Sequence, residues 1–432
     1  MRINKIELGN FRLFENAVFE FPTLFTVIIG ENGKGKSTIL QGLRVASASF
    51  LLGIDEAERF HIQKEDVRRI DVGTRFATQR NCFVRAEGIV NESNLTWKRT
   101  LSREGGKTDT KNAKPIIQLA QNLNDSVNLR LERNISFPVI SFFSTARLWA
   151  ESKQTIKLKK KGSKLKDGYA RCIDDRTDKL SPMEWIKTAY WKKLKEKEES
   201  LLLDAVFEAV DLCIPNWQPT EWDEDTDDLA GIYTDENGTS SYRPLFFLSD
   251  GLRTMAAMVI DIAYRCVTLN EHLGNMAIKE STGIVMIDEI DMHLHPKWQR
   301  NVVADLKKAF PKIQFIATTH SPFIVQSLQT TELINLDSSN YKSRLESDPF
   351  NFGIEDVTQN EMLVEDVDRS EAFKQRVAIA AEYFTLIKKG FNSENSNEVA
   401  LLREKLNDLE ERFSDDPTFV AHLRVERKIT NI

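Results

Sequence analysis

The residues best suited to chemistry lie in the stretch GENGKGKST, residues 30–38. Gly30, Gly35, Lys36 and Ser37 satisfy Gly-x-x-x-x-Gly-Lys-Ser, and the stretch follows an apolar run and precedes a helical pattern, the setting a phosphate loop requires. The loop residues Asn32, Gly33, Lys34 and Gly35 bend the backbone so that successive N–H groups converge on a β-phosphate. The helix opening at Lys36, Ser37 and Thr38 adds a favourable dipole. Lys36 is placed to bridge the β- and γ-phosphates and the Ser37 hydroxyl to ligate magnesium, so the expected ligands are ATP and Mg2+.

A second constellation, GIVMIDE at residues 283–289, sets two adjacent carboxylates after four apolar residues. At a strand edge, Asp288 is expected to hold the magnesium ion through its water shell and Glu289 to orient or deprotonate an attacking water. His320 follows QFIATT in TTHSPF, where the C-terminal edge of a parallel sheet meets a ligand crevice, and a neutral imidazole there is suited to a γ-phosphate. LSDGLR, residues 248–253, adds a Ser-x-Gly turn opening an apolar helix, so Ser249 and the Gly251 backbone are suited to a second phosphate contact. His293 and His295 have the spacing of a metal pair on a strand. Pro296 suits the first turn of a helix, however, and the pair reads as a capping loop.

The elements that must position these groups are legible as patterns. Strands are expected at residues 3–8, 17–21, 24–29 (central and buried), 138–143, 283–287 and 314–319, with a hairpin at 83–90 and 95–101. Helical spacing marks 37–52, 116–123, 183–212, 255–267 and 296–310, and three amphipathic segments follow at 371–388, 398–413 and 417–428. Residues 221–228, EWDEDTDD, read as an acidic solvated loop. Residues 156–166 carry six lysines around Gly162 and read as a solvated loop, with an acidic partner or nucleic acid as the alternative contact.

Composition bounds the class. With 432 residues, 41% hydrophobic and 29% charged, the chain has the balance of a soluble protein of two or three lobes, and its net charge of -6 argues against a protein that coats nucleic acid. Cys82, Cys172, Cys213 and Cys266 are too far apart for a zinc motif or a disulfide framework, which fits a reducing compartment. The N-terminus carries charge where a signal peptide needs an apolar block, and no run approaches the roughly 18 apolar residues of a membrane span. A cytoplasmic protein without membrane contact is expected.

In order, GENGKGKST, LSDGLR, IVMIDE, the turn DMHLHP and TTHSP resemble the Walker A, signature, Walker B, D-loop and switch histidine of an ABC-type ATPase. Together with NFRLF at 10–14, they resemble the RecF, SMC and overcoming-lysogenisation group. More narrowly, PVISFFSTARLW, GYARCIDDRTD, MEWIKTAYW and IDEIDMHLHPKWQR are similar to the ATPase subunit of Septu anti-phage systems, PtuA, which also occurs as a retron effector. The fold implied is α/β: a P-loop ABC-type ATPase head with a mixed sheet, flanking helices and an antiparallel β lobe, plus a helical insertion and a C-terminal helical tail. The division expected is ATPase lobe I at 1–150, a charged helical insertion at 151–240, ATPase lobe II at 241–337 and a partner-binding helical region at 338–432. The resemblance further implies a slow regulatory ATPase that forms a homodimer or higher oligomer, with Ser249 and Gly251 meeting the nucleotide of the opposite subunit. It implies an HNH nuclease partner (PtuB-like) and, in retron systems, a reverse transcriptase with multicopy single-stranded DNA, so that nucleic acid is reached through the complex.

Two positions depart from the pattern: Lys34 stands where such loops commonly have a small residue, and only Gln63 and Gln79 lie where a Q-loop glutamine is expected. The interval between Ser37 and Leu248 is too short for SMC coiled-coil arms, and no Toprim-like acidic pair follows His320, so a nuclease would be another chain. A RecF-like DNA-binding repair ATPase is the second reading, in which Lys159, Lys160 and Lys161 would carry the DNA contact.

Overall fold

The structure, a computed structural model, describes residues 1–147 apart from 74, 104 and 131, then 163–175, 180–196 and 200–364, and beyond these 379, 382, 383, 385, 386, 389 and 397–412. The chain opens with β1 (Arg2–Phe11), β2 (Phe14–Glu20), β3 (Phe25–Ile29) and α1 (Lys36–Leu51). Next come β4 (Arg69–Val72), β5 (Arg75–Thr78), β6 (Cys82–Val90), β7 (Ser93–Leu101), α2 (Lys114–Asn128) and β8 (Val139–Phe143). Helices α3 (Lys164–Tyr169), α4 (Leu180–Glu196) and α5 (Leu201–Cys213) precede β9 (Glu221–Asp223), β10 (Asp228–Thr234) and β11 (Ser240–Pro244). Then follow α6 (Asp250–Leu269), α7 (Ala277–Glu280), β12 (Gly283–Ile287), α8 (Pro296–Gln299) and α9 (Val302–Ala309). β13 (Ile313–Thr318), α10 (Pro322–Gln326), β14 (Leu333–Asn335) and α11 (Ile354–Asn360) complete the series.

Five strands form a parallel sheet in the order β14-β3-β13-β12-β8, and every residue in them is buried. A parallel sheet covered on both faces must be apolar throughout, which is why these segments appear in the sequence as unbroken runs. The antiparallel strands form separate sheets, β2-β1-β6-β7 being the largest. On β6 buried residues alternate with more exposed ones, as one covered face demands.

Helix α1 lies between these two sheets, touching β1, β6 and β7 on one side and β12 and β13 on the other, and all its residues except Ser37 are buried. The Gln314 amide ties the layers together: its Oε1 accepts from the Ile3 N–H and its Nε2 donates to the Ile3 carbonyl, both at 2.8 Å. That bridge aligns the strand leading to His320 with the N-terminal sheet.

Three expected elements differ. Residues 296–310 form two helices, because the Asn301 N–H closes a turn on the Trp298 carbonyl at 3.0 Å and Asn301 then caps α9. Residues 183–212 divide between α4 and α5. The acidic segment 221–228 is a loop only at its centre: residues 224–227 form an exposed turn, while its two ends belong to β9 and β10, whose pairing buries Trp222 and the adjoining Leu229. Asp223 accepts from the Asp225 N–H at 3.1 Å and the Thr226 hydroxyl at 2.6 Å, so part of the acidic run is turn chemistry.

The chain divides into two units, Met1–Leu363 and Val364–Ile432. In the second, the helix Asn397–Arg412 corresponds to the expected 398–413; only scattered positions of 371–388 are described, and 417–428 lies outside the described residues. Lys159, Lys160 and Lys161 also lie outside them. All four cysteines are free and buried, and among the described residues no helix is long and apolar enough to cross a membrane.

Candidate active site

The five parallel strands end at one edge of the sheet, and the candidate residues follow those ends. After β3 the backbone takes left-handed angles at Gly33 (φ 84°) and Gly35 (φ 104°). A Cβ on Gly35 would stand 2.6 Å from Cζ of Phe14, so the β1–β2 turn closes over the loop, whereas nothing lies within 4 Å of a Cβ on Gly33. Asn32 and Lys34 are exposed on the same bend, and Thr38 is buried in the first turn of α1. That turn holds no acidic residue, leaving the positive end of the helix to an anion. Lys36 Nζ donates to the Gly30 carbonyl at 2.6 Å and the Glu31 carbonyl at 3.1 Å. Burial lowers its pKa, opposed by the carboxylates of Asp337, Asp288 and Glu289.

Tertiary structure joins this loop to the acid pair, Asp288 lying 251 residues beyond Ser37. Ser37 Oγ donates to Asp288 Oδ1 at 3.2 Å, and the buried Thr318 hydroxyl donates to the same oxygen at 2.6 Å. Thr318 Oγ1 in turn accepts from the Glu289 N–H at 2.8 Å. The Asp288 N–H donates to the Phe143 carbonyl at 2.8 Å, extending the β12–β8 ladder. Glu289 sits at φ 51°, a left-handed angle that turns the chain sharply away from β12. The Ser37 hydroxyl and the Asp288 carboxylate are hard oxygen donors already in contact, a set that fits magnesium.

His320 is exposed just past the end of β13. Its neighbour Thr319 donates through its hydroxyl to Asp291, and Ser321 donates its N–H back to Thr319 Oγ1 at 3.0 Å, fastening the turn after β12 to the turn after β13. His295 caps α8, its Nδ1 accepting from the Lys297 N–H at 3.2 Å, as the capping reading expects. Among the described residues no group of three or more His, Cys, Asp or Glu could hold a metal ion.

Ser249 is the N-cap of α6, yet its side chain makes no capping bond and is exposed. Gly251 is buried against the D-loop: a Cβ there would lie 2.1 Å from the His293 carbonyl oxygen. The turn that opens α6 and the turn after β12 therefore pack against each other.

Sequence reading missed Thr318 and Asp337. The signal for Thr318 was a hydroxyl at the end of an otherwise largely apolar strand; Asp337 follows a three-residue strand too short to register as a pattern. Gln63 donates to the His61 carbonyl at 2.8 Å, and the Gln79 N–H donates to the Arg68 carbonyl at 2.8 Å, so each belongs to the local structure around β4 and β5. The strand end beside Asp288 is that of β8, which leads into Ser144, Thr145, Ala146 and Arg147.

A phosphate loop between a parallel strand and a buried helix, an acid pair on the sheet edge and a packed signature turn define a P-loop ATPase fold of the ABC-head kind. The chain belongs to the family described as AAA domain, putative AbiEii toxin, Type IV TA system, whose model matches residues 25–326. It is 24% identical over 445 residues to the retron Vc95 probable ATPase of Vibrio cholerae serotype O1 biovar El Tor, covering 90% of this chain and 84% of that protein. To the retron Ec83 probable ATPase of Escherichia coli it is 26% identical over 77% of this chain and 71% of that one. To the Septu protein PtuA of Bacillus mycoides (strain KBAB4) it is 26% identical over 76% of this chain and 39% of that protein.

Proposed function

We propose that the protein is the ATP-hydrolysing regulatory subunit of an anti-phage defence complex of the retron or Septu type, in which ATP-dependent pairing of two copies controls a nuclease carried by another chain. The observation that carries the ATPase reading is the hydrogen-bonded path from Ser37 through Asp288 to Thr318 and the Glu289 amide, which unites the phosphate loop and the acid pair in one site. The names of the retron and Septu relatives support the defence setting.

In this reading Asn32, Gly33, Lys34 and Gly35 wrap the β-phosphate with backbone N–H groups, and Lys36 leaves its two carbonyl partners to bridge the β- and γ-phosphates. Magnesium, held by Ser37 and Asp288, would supply charge neutralisation on the phosphates. Glu289 orients a water and takes its proton; His320 contacts the γ-phosphate and reports its loss. Ser249, whose side chain makes no capping bond at the start of α6, and the Gly251 backbone serve the γ-phosphate bound to the opposite copy. The four-part division of the chain, with 338–432 as the partner-binding region, belongs to this proposal.

The test combines sedimentation and nuclease assays on the protein co-purified with the products of neighbouring genes. Ser249→Arg should bind ATP as wild type does but lose ATP-dependent dimerisation, and Glu289→Gln should hold the dimer. Nuclease output indifferent to both nucleotide and mutation would reject the gating mechanism.

A further inference from the structure

We infer that Asp337, which follows β14, is a positioning residue for the phosphate loop and acts on it together with Lys34. The inference rests on the proposed nucleotide site. β14 pairs with β3, and the Leu336 N–H donates to the Ile29 carbonyl at 3.0 Å, which brings Asp337 alongside the start of the loop. The Asp337 side chain is only 3% exposed. Its Oδ2 accepts from the Glu31 N–H at 2.9 Å, so the first turn of the loop hangs on this carboxylate.

Its other oxygen, Oδ1, is buried and accepts no hydrogen bond; the ammonium of Lys34 stands 3.6 Å away. A buried carboxylate oxygen without a donor is costly, and a nearby cation is what offsets it. Lys34 also lies 3.7 Å from Glu31 Oε2, so one cation serves both ends of the turn. This gives a reason for lysine at a loop position that needs only a small residue for phosphate contact. Without Lys34, only Lys36 would offset the Asp337 charge beside the incoming phosphates.

Asp337 is itself held from behind. Its N–H donates to Asn335 Oδ1 at 2.9 Å, and Asn335 Nδ2 donates to Glu361 Oε2 at 2.8 Å. Glu361, fully buried, also accepts from the N–H groups of Arg344 at 2.7 Å and Leu345 at 2.9 Å. The backbone that carries the carboxylate is thus braced from behind. The carboxylate sets where the turn between Glu31 and Lys34 sits.

The test is titration calorimetry of magnesium-ATP into the full chain for wild type, Lys34→Ala, Asp337→Asn and the double variant, with Lys36→Ala as control. Asparagine keeps an acceptor for the Glu31 N–H, removes the charge and puts an NH2 group in place of the oxygen that faces Lys34. Lys34 is half exposed, so Lys34→Ala should raise the Kd for ATP by about 3- to 10-fold in the wild-type background. In the Asp337→Asn background, where the buried carboxylate is gone and only the exposed Glu31 remains beside Lys34, the same change should cost under about 2-fold. A purely structural Asp337 would shift the melting temperature without this coupling. Equal costs of Lys34→Ala in both backgrounds, with Lys36→Ala still abolishing binding, overturn the inference and leave the nucleotide site standing. A wild-type protein that binds no ATP overturns both. If Asp337→Asn does not fold, Lys34→Arg decides: it should bind within about 2-fold of wild type, and an arginine variant as weak as alanine refutes the charge role.

Discussion

Thr318→Val isolates the link between the phosphate loop and the acid pair. Valine matches threonine in shape, so the fully buried site keeps its packing and loses two hydrogen bonds: 2.6 Å to Asp288 Oδ1 and 2.8 Å from the Glu289 N–H. A bond to a charged acceptor contributes about 1.5–3 kcal/mol and an amide bond about 0.5–1.5 kcal/mol, so the substitution removes roughly 2–4 kcal/mol of local order. Ser37 still holds Asp288, and only part of that loss falls on the transition state; at about 1.4 kcal/mol per decade, kcat should drop about 10- to 100-fold. The Kd for ATP, set mainly by the loop, should stay within about 3-fold of wild type. Phosphate release under saturating magnesium-ATP gives kcat, calorimetry gives Kd, and a melting curve shows whether the fold survives. Thr318→Ser restores the hydroxyl and should recover most of the rate. A valine variant as fast as wild type, or a serine variant as slow as valine, would refute the reasoning.

Glu289→Gln should retain ATP binding and lose about 100-fold or more in hydrolysis, as removal of a general base does; a smaller loss would assign the water to another group. Gly251→Val would drive a side chain into the His293 carbonyl, so ATP binding should persist while nucleotide-dependent dimerisation measured by sedimentation disappears. His61 gives a pH test. Burial, then the Arg99 and Arg59 charges, lower its pKa. Arg99 Nη2 lies 2.8 Å from its Nδ1, and a guanidinium can only donate, so Nδ1 must be unprotonated. As pH falls below the ordinary histidine range near about 6.5, the unfolded chain takes up the proton first. Stability should therefore decline from there toward the lowered folded value. Urea midpoints at neutral and mildly acidic pH should show less pH dependence in His61→Gln; identical slopes would refute the assignment.

The groups proposed to meet phosphate are legible because their chemistry is local. Gly33, Gly35, Lys36 and Ser37 act through backbone angles and a helix start, both set within a few residues. The buried strands were legible because a parallel sheet covered on both faces admits only apolar side chains. The hairpin of β9 and β10 is hard to see in the acidic run 221–228 because its polar turn residues outnumber Trp222, the one buried residue of that run. The break at Asn301 went unseen because apolar spacing continues across it. Strand order could not be read at all, since β14, β3, β13, β12 and β8 are neighbours in space but not in sequence. That order alone brings Thr318 and Ser37 to the same oxygen of Asp288 and sets Asp337 under Lys34. Sequence by itself singled out the residues proposed to hold a phosphate, a metal ion and a water. Only the tertiary structure decided which hydroxyls and carboxylates hold those residues in place, because hydrogen bonds across a sheet depend on register between strands that no local pattern encodes.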